Sequence, residues 1–294
     1  LMGKDILPRF HGTLWPAVLL ALELPLPKRL FAHGWWLAAT NDDSGLAKMS
    51  KSLGNVIDPL ASAEGLAEMS GASESIAIDA VRYYLLREVT FGLDGAFSME
   101  NLLARFNADL ANDLGNLLNR SLPLLSRGFE RRIPSPGGLT GALAELTEQV
   151  RGRYEEAIEV CDFRRALEAL WELIRAGNKL MDERQPWNLL REGNREEAGA
   201  ALYDVLDVAR TAAIGLWPVM PEAAEEIWRQ LGLAGSGQPL RWEDFRMGAL
   251  PAGVEVGKPS PIFPRVDLAK VRGRAGQEVK PPAAEVLEQK LITL

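Results

Sequence analysis

Between Ser98 and about residue 232, the chain repeats one pattern, in which long segments carry apolar residues at every third or fourth position. Phe163, Leu167, Leu170 and Ile174 are one example. Because this spacing gives a helix a single apolar face, each segment must be buried against others of its kind. The pattern predicts an all-α bundle with short connections. The predicted helices run from Ser98 to about Arg127, Leu139 to about Cys161, Asp162 to about Glu183, Asn194 to about Trp217, and Pro221 to about Gly232.

The residues before this bundle mix short apolar strands with helices. Leu30–Ala38 predicts a buried strand, and Ser75–Val89 predicts an amphipathic helix. After about Pro251, frequent prolines accompany Lys, Arg and Gly, which is typical of an extended strap and a linker. The fold class predicted is therefore α/β followed by an all-α helical bundle. The three predicted regions are 1–93, 94–250 and 251–294.

Composition excludes several classes of protein. No apolar run approaches the roughly 20 residues that a membrane helix needs, so we expect no membrane partner. Cys161 is the single cysteine, which leaves no disulfide framework and no cysteine-based zinc site and fits a reducing, cytoplasmic setting. We expect Cys161 to be a small buried residue. The net charge of −7 means that a nucleic-acid binder of this kind must concentrate its positive charge locally.

The segment Lys48–Ser52 has the sequence Lys-Met-Ser-Lys-Ser and follows the predicted strand and a polar loop. Two lysines on a loop can approach a triphosphate from one side, and the hydroxyls of Ser50 and Ser52 add donors. For two lysines alone, a solvated surface loop would be the favoured interpretation. The complete pentapeptide rarely occurs by chance in a chain of this length.

This pentapeptide resembles the signature loop of the class I aminoacyl-tRNA synthetases, so the α/β part would be a partial Rossmann-like catalytic half. The resemblance implies that Lys51 is the principal catalytic residue, which stabilises phosphate charge while ATP activates the amino acid. It also implies that Lys48 assists and that Ser50 and Ser52 bind ATP.

The flanking segments Met2–Ile6, Phe10–His11, Trp15–Ala17 and Phe31–Trp36 resemble the methionyl-tRNA synthetases. Pro8 makes the stretch after Ile6 one residue longer than the family pattern. Without the neighbouring motif, His11 would be read as an ordinary helix-surface histidine and Trp15 as a core tryptophan. The resemblance implies an ATP site that includes Gly3, Asp5, His33, Gly34 and Trp36, and a methionine site that includes Ile6, His11 and Trp15.

An asparagine-rich segment lies on the first bundle helix, with four asparagines between Asn107 and Arg120. Asparagine has a low helix propensity. Residues that are unfavourable for the local structure are often found at functional sites. Asn116 and Arg120 share one face at i, i+4 spacing, and their amide and guanidinium suit the edges of unstacked bases. The alternative is that the asparagines bond neighbouring helices, which we favour for Asn107, Asn112 and Asn119.

Trp187 follows Pro186 beyond a helix end and could form a rigid platform for base stacking, although most isolated tryptophans are buried core. Together, Asn116, Arg120 and Trp187 resemble the anticodon-reading set of the methionyl family. The resemblance covers about residues 2–267, with an unusual insertion in residues 61–78.

The resemblance implies ATP-dependent ligation of methionine to tRNA(Met) through methionyl-adenylate, with Mg²⁺ accompanying ATP and no metal ligands in this chain. It leaves open zinc in an upstream part and a homodimer of the full-length protein. On this view the chain begins inside the catalytic domain and is incomplete for activity. Residues 1–93 would hold the second catalytic half and a stem-contact segment, and residues 94–250 the anticodon-binding domain. Leu291–Leu294 resembles the opening strand of an OB-fold tRNA-binding domain. The alternatives are another class I synthetase and a non-catalytic tRNA-binding module.

Overall fold

The computed structural model describes residues 1–40, 45–138, 141–234 and 240–269. Their strands are short and belong to the first hundred residues. They are β1 (Met2–Gly3), β2 (Ala32–His33), β3 (Trp36–Ala39), β4 (Leu46–Lys48) and β5 (Gly95–Ala96). β1 pairs in parallel with β2, so that Gly3 lies opposite His33. β3 pairs antiparallel with β4 and parallel with β5.

The single strand predicted over Leu30–Ala38 was wrong in two respects. The segment forms β2 and β3, which belong to different sheets, and most of it is only half-buried. Gly34 lies at the break, where a Cβ atom would collide with the carbonyl oxygen of Leu93. This close backbone approach explains why only glycine fits there.

The helices otherwise follow the predicted pattern closely. The Ser98 hydroxyl accepts a hydrogen bond from the Asn101 N–H, and the Asp162 carboxylate accepts one from the Arg165 N–H, so both residues act as N-caps. The helices are α1 (Trp15–Ala21), α2 (Pro59–Ser70), α3 (Glu74–Glu88), α4 (Met99–Arg105), α5 (Gly115–Gly128), α6 (Gly141–Glu159), α7 (Phe163–Arg184), α8 (Pro186–Glu192), α9 (Arg195–Leu216) and α10 (Pro221–Gln230).

Two stretches widen into π-helix, Leu7–Leu14 before α1 and Phe106–Leu114 between α4 and α5. A π-turn bonds residue i to residue i+5. The predicted helix from Ser98 is therefore a composite of α4, this π-helical stretch and α5. The segment 61–78, which the sequence left unexplained, forms most of α2, a turn through Gly71 and the start of α3.

The core is centred on α7 and α9. Every residue of α9 from Ala198 to Leu216 is buried, and Trp171 of α7 is fully buried beside it. Helix α3 packs into the same core: the Asp79 carboxylate accepts the Ala223 N–H at 2.8 Å, and the Arg82 guanidinium donates to the carbonyl oxygen of Val219 at 2.8 Å.

Residues 252–269, the described part of the segment in which a strap was expected, lie along the bundle. Asn107 fixes it, because its amide donates to the Val266 carbonyl oxygen at 2.8 Å and accepts the Val266 N–H at 2.9 Å. Residues 291–294, in which an OB-fold strand was predicted, lie outside the described residues. Cys161 is only partly buried, contrary to expectation, and joins α6 to α7 with a left-handed φ of 59°. Within the described ranges, no helix is long and apolar enough to cross a membrane.

Candidate functional site

The loop that follows β4 carries the predicted phosphate-binding residues. A 3-10 turn spans Lys51–Leu53, and Gly54 closes it with a left-handed φ of 64°. The Oδ1 atom of Asn55, which is buried, accepts the Ser50 N–H at 2.8 Å. The Ser50 and Ser52 hydroxyl oxygens lie 2.8 Å apart. The buried side-chain amide of Asn55 therefore holds the backbone of this loop in place.

The Lys48 ammonium lies over a tryptophan. Its Nζ atom is 3.3 Å from the centroid of the Trp35 ring and 3.9 Å from the Oδ2 atom of Asp5. Cation–π attraction and the nearby carboxylate both stabilise this position. Lys48 and Lys51 are both exposed, so the two ammonium groups are available to a ligand.

Asp94 accepts hydrogen bonds from two neighbouring segments of this site. Its Oδ1 atom accepts hydrogen bonds from the Lys4 ammonium at 2.6 Å and from the Trp35 N–H at 2.7 Å. These hydrogen bonds, that from Lys4 foremost, keep the pKa of the Asp94 carboxyl below its usual value. Asp94 thus connects Lys4 to the backbone N–H of Trp35.

The structure brings most of the predicted ATP-binding residues together. The pairing of β1 with β2 sets Gly3 opposite His33, and the predicted residues Asp5 and Gly34 follow directly along the two segments. Trp36 lies elsewhere: its ring packs against Tyr84 and Phe97, with centroids 6.0 and 6.2 Å away. Trp35, which the sequence argument passed over, is the tryptophan that faces Lys48.

The predicted methionine-binding residues lie on and around the first π-helix. Ile6 precedes it, and the His11 N–H donates to the Ile6 carbonyl oxygen, five residues back, at 3.2 Å. This wide turn accommodates one more residue than an α-turn, which accounts for the extra Pro8. His11 is partly buried, and its Nδ1 atom is buried without a hydrogen-bond partner, whereas Trp15 is 50% exposed. Their contact with methionine stays a prediction.

Two of the predicted anticodon residues, Arg120 and Trp187, lie in contact. The Arg120 guanidinium carbon lies 5.1 Å from the centroid of the Trp187 ring. Its Nη2 atom donates to the Oδ1 atom of Asp182 at 2.7 Å. Asn116 is one helical turn before Arg120 on α5, and all three predicted residues are partly exposed. Trp187 is fixed in the first turn of α8, directly after the left-handed Gln185 that ends α7.

The other asparagines of that segment have separate positions. Asn107 bonds the strap rather than a neighbouring helix, and Asn112 and Asn119 are exposed. The amide that joins two helices here is that of Asn178, which donates to the Asp113 carbonyl oxygen at 2.8 Å. The preference for contacts between helices was therefore wrong for Asn107.

Sequence reasoning missed four residues of these clusters: Trp35, Asn55, Asp94 and Asp182. Asn55 had a usable signal, because it directly follows the glycine that closes the loop. Asp94 and Asp182 had none, since their partners lie far away along the chain. In the part of the chain that the structure covers, no group of three or more His, Cys, Asp or Glu side chains could hold a metal ion.

Two family models together match most of the chain. The family model of tRNA synthetases class I (M) matches residues 1–122, and that of the anticodon-binding domain of methionyl tRNA ligase matches residues 134–275. The chain is 42% identical to a methionine–tRNA ligase of Halalkalibacterium halodurans, over 97% of this chain and 42% of that protein. It is 38% identical to a methionine–tRNA ligase of Bacillus subtilis, over 93% of this chain and 40% of that protein.

Solved structures give the same result. The fold is similar to that of Mycobacterium tuberculosis methionyl-tRNA synthetase in complex with methionyl-adenylate, with a TM-score of 0.75 and 38% identity. The match covers 90% of this chain and 49% of that one. The apo form of the same protein gives a TM-score of 0.73 and 36% identity. The chain thus spans less than half the length of the relatives that it matches.

Proposed function

Because this chain belongs to the methionyl-tRNA synthetase family, we propose that the protein containing it uses ATP to join methionine to its tRNA. Residues 1–93 would supply part of the catalytic centre. Residues 94–250 would read the anticodon, and residues 251–269 would brace this helical part, as the bonds of Asn107 to Val266 indicate. The chain spans 42% of the length of its relatives, so the complete reaction belongs to the longer protein.

One observation carries the proposal, the convergence of Asp5, Trp35 and Lys48. These residues come from three separate segments, yet the Lys48 Nζ atom lies within 3.9 Å of both the Asp5 carboxylate and the centre of the Trp35 ring. A cation fixed beside the carboxyl ends of two parallel strands suits a bound nucleotide, because ligands of open α/β sheets bind at that edge.

The proposed reaction has two steps. A carboxylate oxygen of methionine attacks the α-phosphorus of ATP, and the bond to the bridging oxygen breaks to release pyrophosphate with its Mg²⁺. The terminal ribose hydroxyl of the tRNA then attacks the carbonyl carbon of methionyl-adenylate, and AMP leaves. Lys51 and Lys48 would stabilise the charge that builds on the phosphate oxygens, and Ser50 and Ser52 would add hydroxyl donors. Mg²⁺ would be held by the phosphates and water.

Around this centre, Gly3, Asp5, His33 and Gly34 would bind ATP, with Trp36 supporting them from the core side. Ile6, His11 and Trp15 would bind methionine. At the far end of the bundle, Asn116 and Arg120 would bond the edges of anticodon bases, and Trp187 would stack on one of them. Base–aromatic stacking contributes about 1–3 kcal/mol per base.

Pyrophosphate exchange in the full-length protein tests the catalytic half. We expect labelled pyrophosphate to enter ATP only when methionine is present, and Lys51→Ala to reduce the rate by about a hundredfold or more. Lys258→Ala, at an exposed position on the strap, is the matched control and should leave the rate unchanged. Exchange that depends on another amino acid would exclude methionine as substrate. A complete absence of exchange would leave the non-catalytic tRNA-binding module.

A further inference from the structure

A groove of about 570 Å³ opens beside Trp187. Its volume lies within the range of about 300–1,000 Å³ that is usual for ligand sites. Its lining includes the apolar side chains of Leu124 and Leu190 and two glycines, Gly128 and Gly193. The remaining lining residues are Arg127, Trp187, Arg191 and Arg195.

The charge of this groove is unlike that of the molecule. The chain carries a net charge of −7, yet three arginines and no carboxylate line the groove. Among the ion pairs of the described residues, none involves Arg127, Arg191 or Arg195. All three arginines are exposed. Such a cluster favours an anion, and guanidinium geometry matches phosphate oxygens.

Three helix ends bring these arginines together. Arg127 lies in the last turn of α5, Arg191 in the last turn of α8, and Arg195 is the first residue of α9. Arg195 lies over the Phe129 ring, 5.2 Å from its centroid, and Arg191 donates to the side chain of Asn188. The two side chains are therefore held at the rim, since each has a fixed neutral partner.

We propose that this groove binds the sugar–phosphate backbone of the tRNA anticodon loop next to the base that stacks on Trp187. Trp187 belongs both to the proposed anticodon site and to the groove, because its ring contacts Arg120 and it also lines the groove. A strand that leaves the cluster of Asn116, Arg120 and Trp187 would pass directly between the three arginines. Their contacts would be to phosphates, which carry no base identity.

This inference rests on the proposed anticodon reading, but substitutions in the groove should affect tRNA binding differently from substitutions at the base-reading residues. Phosphate contacts should weaken binding equally for every sequence and should reduce the salt dependence, whereas base contacts should alter discrimination. The variant Arg127→Gln/Arg195→Gln removes two charges from the groove. Arg191 is left in place because its contact with Asn188 reaches back toward Gln185, where α8 begins.

The test measures binding of the full-length protein to tRNA(Met) and to the same tRNA with a substituted anticodon, at several salt concentrations. We expect Arg127→Gln/Arg195→Gln to weaken both complexes by the same factor, about tenfold, and to lower the salt slope by about two. The discrimination ratio should stay unchanged. The control Arg165→Gln/Arg241→Gln removes two exposed charges outside the groove and should change neither quantity appreciably.

Three results would contradict the groove proposal, and each has a different meaning for anticodon reading. If the parent protein discriminates between the tRNAs but the groove variant keeps the parent's affinity and salt slope, the groove does not bind the backbone and anticodon reading stands. If the groove variant loses discrimination instead, the arginines contact bases and the backbone assignment is wrong. If the parent protein does not discriminate at all, anticodon reading fails, and the groove proposal fails with it.

Discussion

Arg120 donates from its Nη2 atom to the Oδ1 atom of Asp182 at 2.7 Å, so the guanidinium proposed to read the anticodon is already oriented by a carboxylate. Both side chains are partly exposed, at 32% and 66%. An exposed ion pair contributes about 0.2–1 kcal/mol, which is small for folding. The same pair holds Arg120 near Trp187, and that position matters for discrimination between bases.

We therefore expect Asp182→Ala to reduce anticodon discrimination by up to about fivefold, the factor that corresponds to about 1 kcal/mol. Thermal unfolding should be almost unchanged. Binding of tRNA(Met) and of the anticodon-substituted tRNA, measured side by side, gives the ratio. Glu183→Ala, which removes the neighbouring exposed carboxylate from α7, is the control. An equal loss of discrimination in both variants would show that general charge, rather than orientation of Arg120, is responsible.

Asn55 offers a test of the phosphate-binding loop. Its buried side chain accepts the Ser50 N–H at 2.8 Å and lies 3.4 Å from the Lys48 carbonyl oxygen as a donor. Loss of a buried partner costs about 1–3 kcal/mol, so Asn55→Ala should loosen the loop. We expect the maximal rate of methionine-dependent pyrophosphate exchange in the full-length protein to fall by about tenfold or more. Asn41→Ala, upstream of the same loop in the sequence, should leave the rate near that of the parent.

Replacing each of two helical glycines with alanine should change the free energy of unfolding in opposite directions. A Cβ atom on Gly152 of α6 would meet nothing within 4 Å, whereas one on Gly177 of α7 would lie 2.9 Å from the Cγ1 atom of Val208 on α9. Gly152→Ala should stabilise the chain by about 0.5–1 kcal/mol, because alanine is the better helix former. Gly177→Ala should destabilise it by about 1–3 kcal/mol, because the crossing of α7 and α9 is already closely packed. Denaturant unfolding measures both, and two values of the same sign would contradict the packing described.

The helices of this protein could be predicted from its sequence, whereas contacts between residues distant in the chain could not. The bundle helices were predictable because apolar spacing and caps such as Ser98 and Asp162 are local signals. The break at Gly34 was not, because it depends on the approach of Leu93, 59 residues later. That break decides that Trp35, and not Trp36, faces Lys48. The pairing of Arg120 with Asp182 also joins residues 62 positions apart, and only the packing of α5 against α7 creates it.

The contact between Asn107 and the strap predicts local rather than global instability. Its two hydrogen bonds to the Val266 backbone are buried. Asn107→Ala would leave the Val266 N–H and carbonyl groups without these partners, at a cost of about 1–3 kcal/mol. We expect hydrogen exchange at the Val266 amide to accelerate by at least tenfold. The Ile133 N–H, which bonds the Val254 carbonyl oxygen at 2.9 Å, should exchange at its original rate. Faster exchange at both amides would mean that the whole strap had detached.

Burial makes Asp79 sensitive to pH. The carboxyl is 2% exposed, and desolvation raises its pKa from 3.8 to about 6, although the Ala223 N–H bond opposes this effect. The native state therefore keeps a proton that the unfolded chain releases above pH 3.8. Stability from this group is fully present below that pH and is lost as the pH rises to about 6.

The loss should be on the order of 2–3 kcal/mol, at about 1.4 kcal/mol per pKa unit. Asp79→Asn keeps an acceptor for the Ala223 N–H but cannot ionise, so it should lack this component. We expect the difference in unfolding free energy between Asp79→Asn and the parent to change by that amount from pH 4 to pH 6 and to stay constant above pH 7. Comparing the two proteins at each pH removes the contribution of every other carboxylate. A difference that does not vary with pH would mean that Asp79 is ionised in the native state throughout, with the Ala223 N–H and Arg82 outweighing its desolvation.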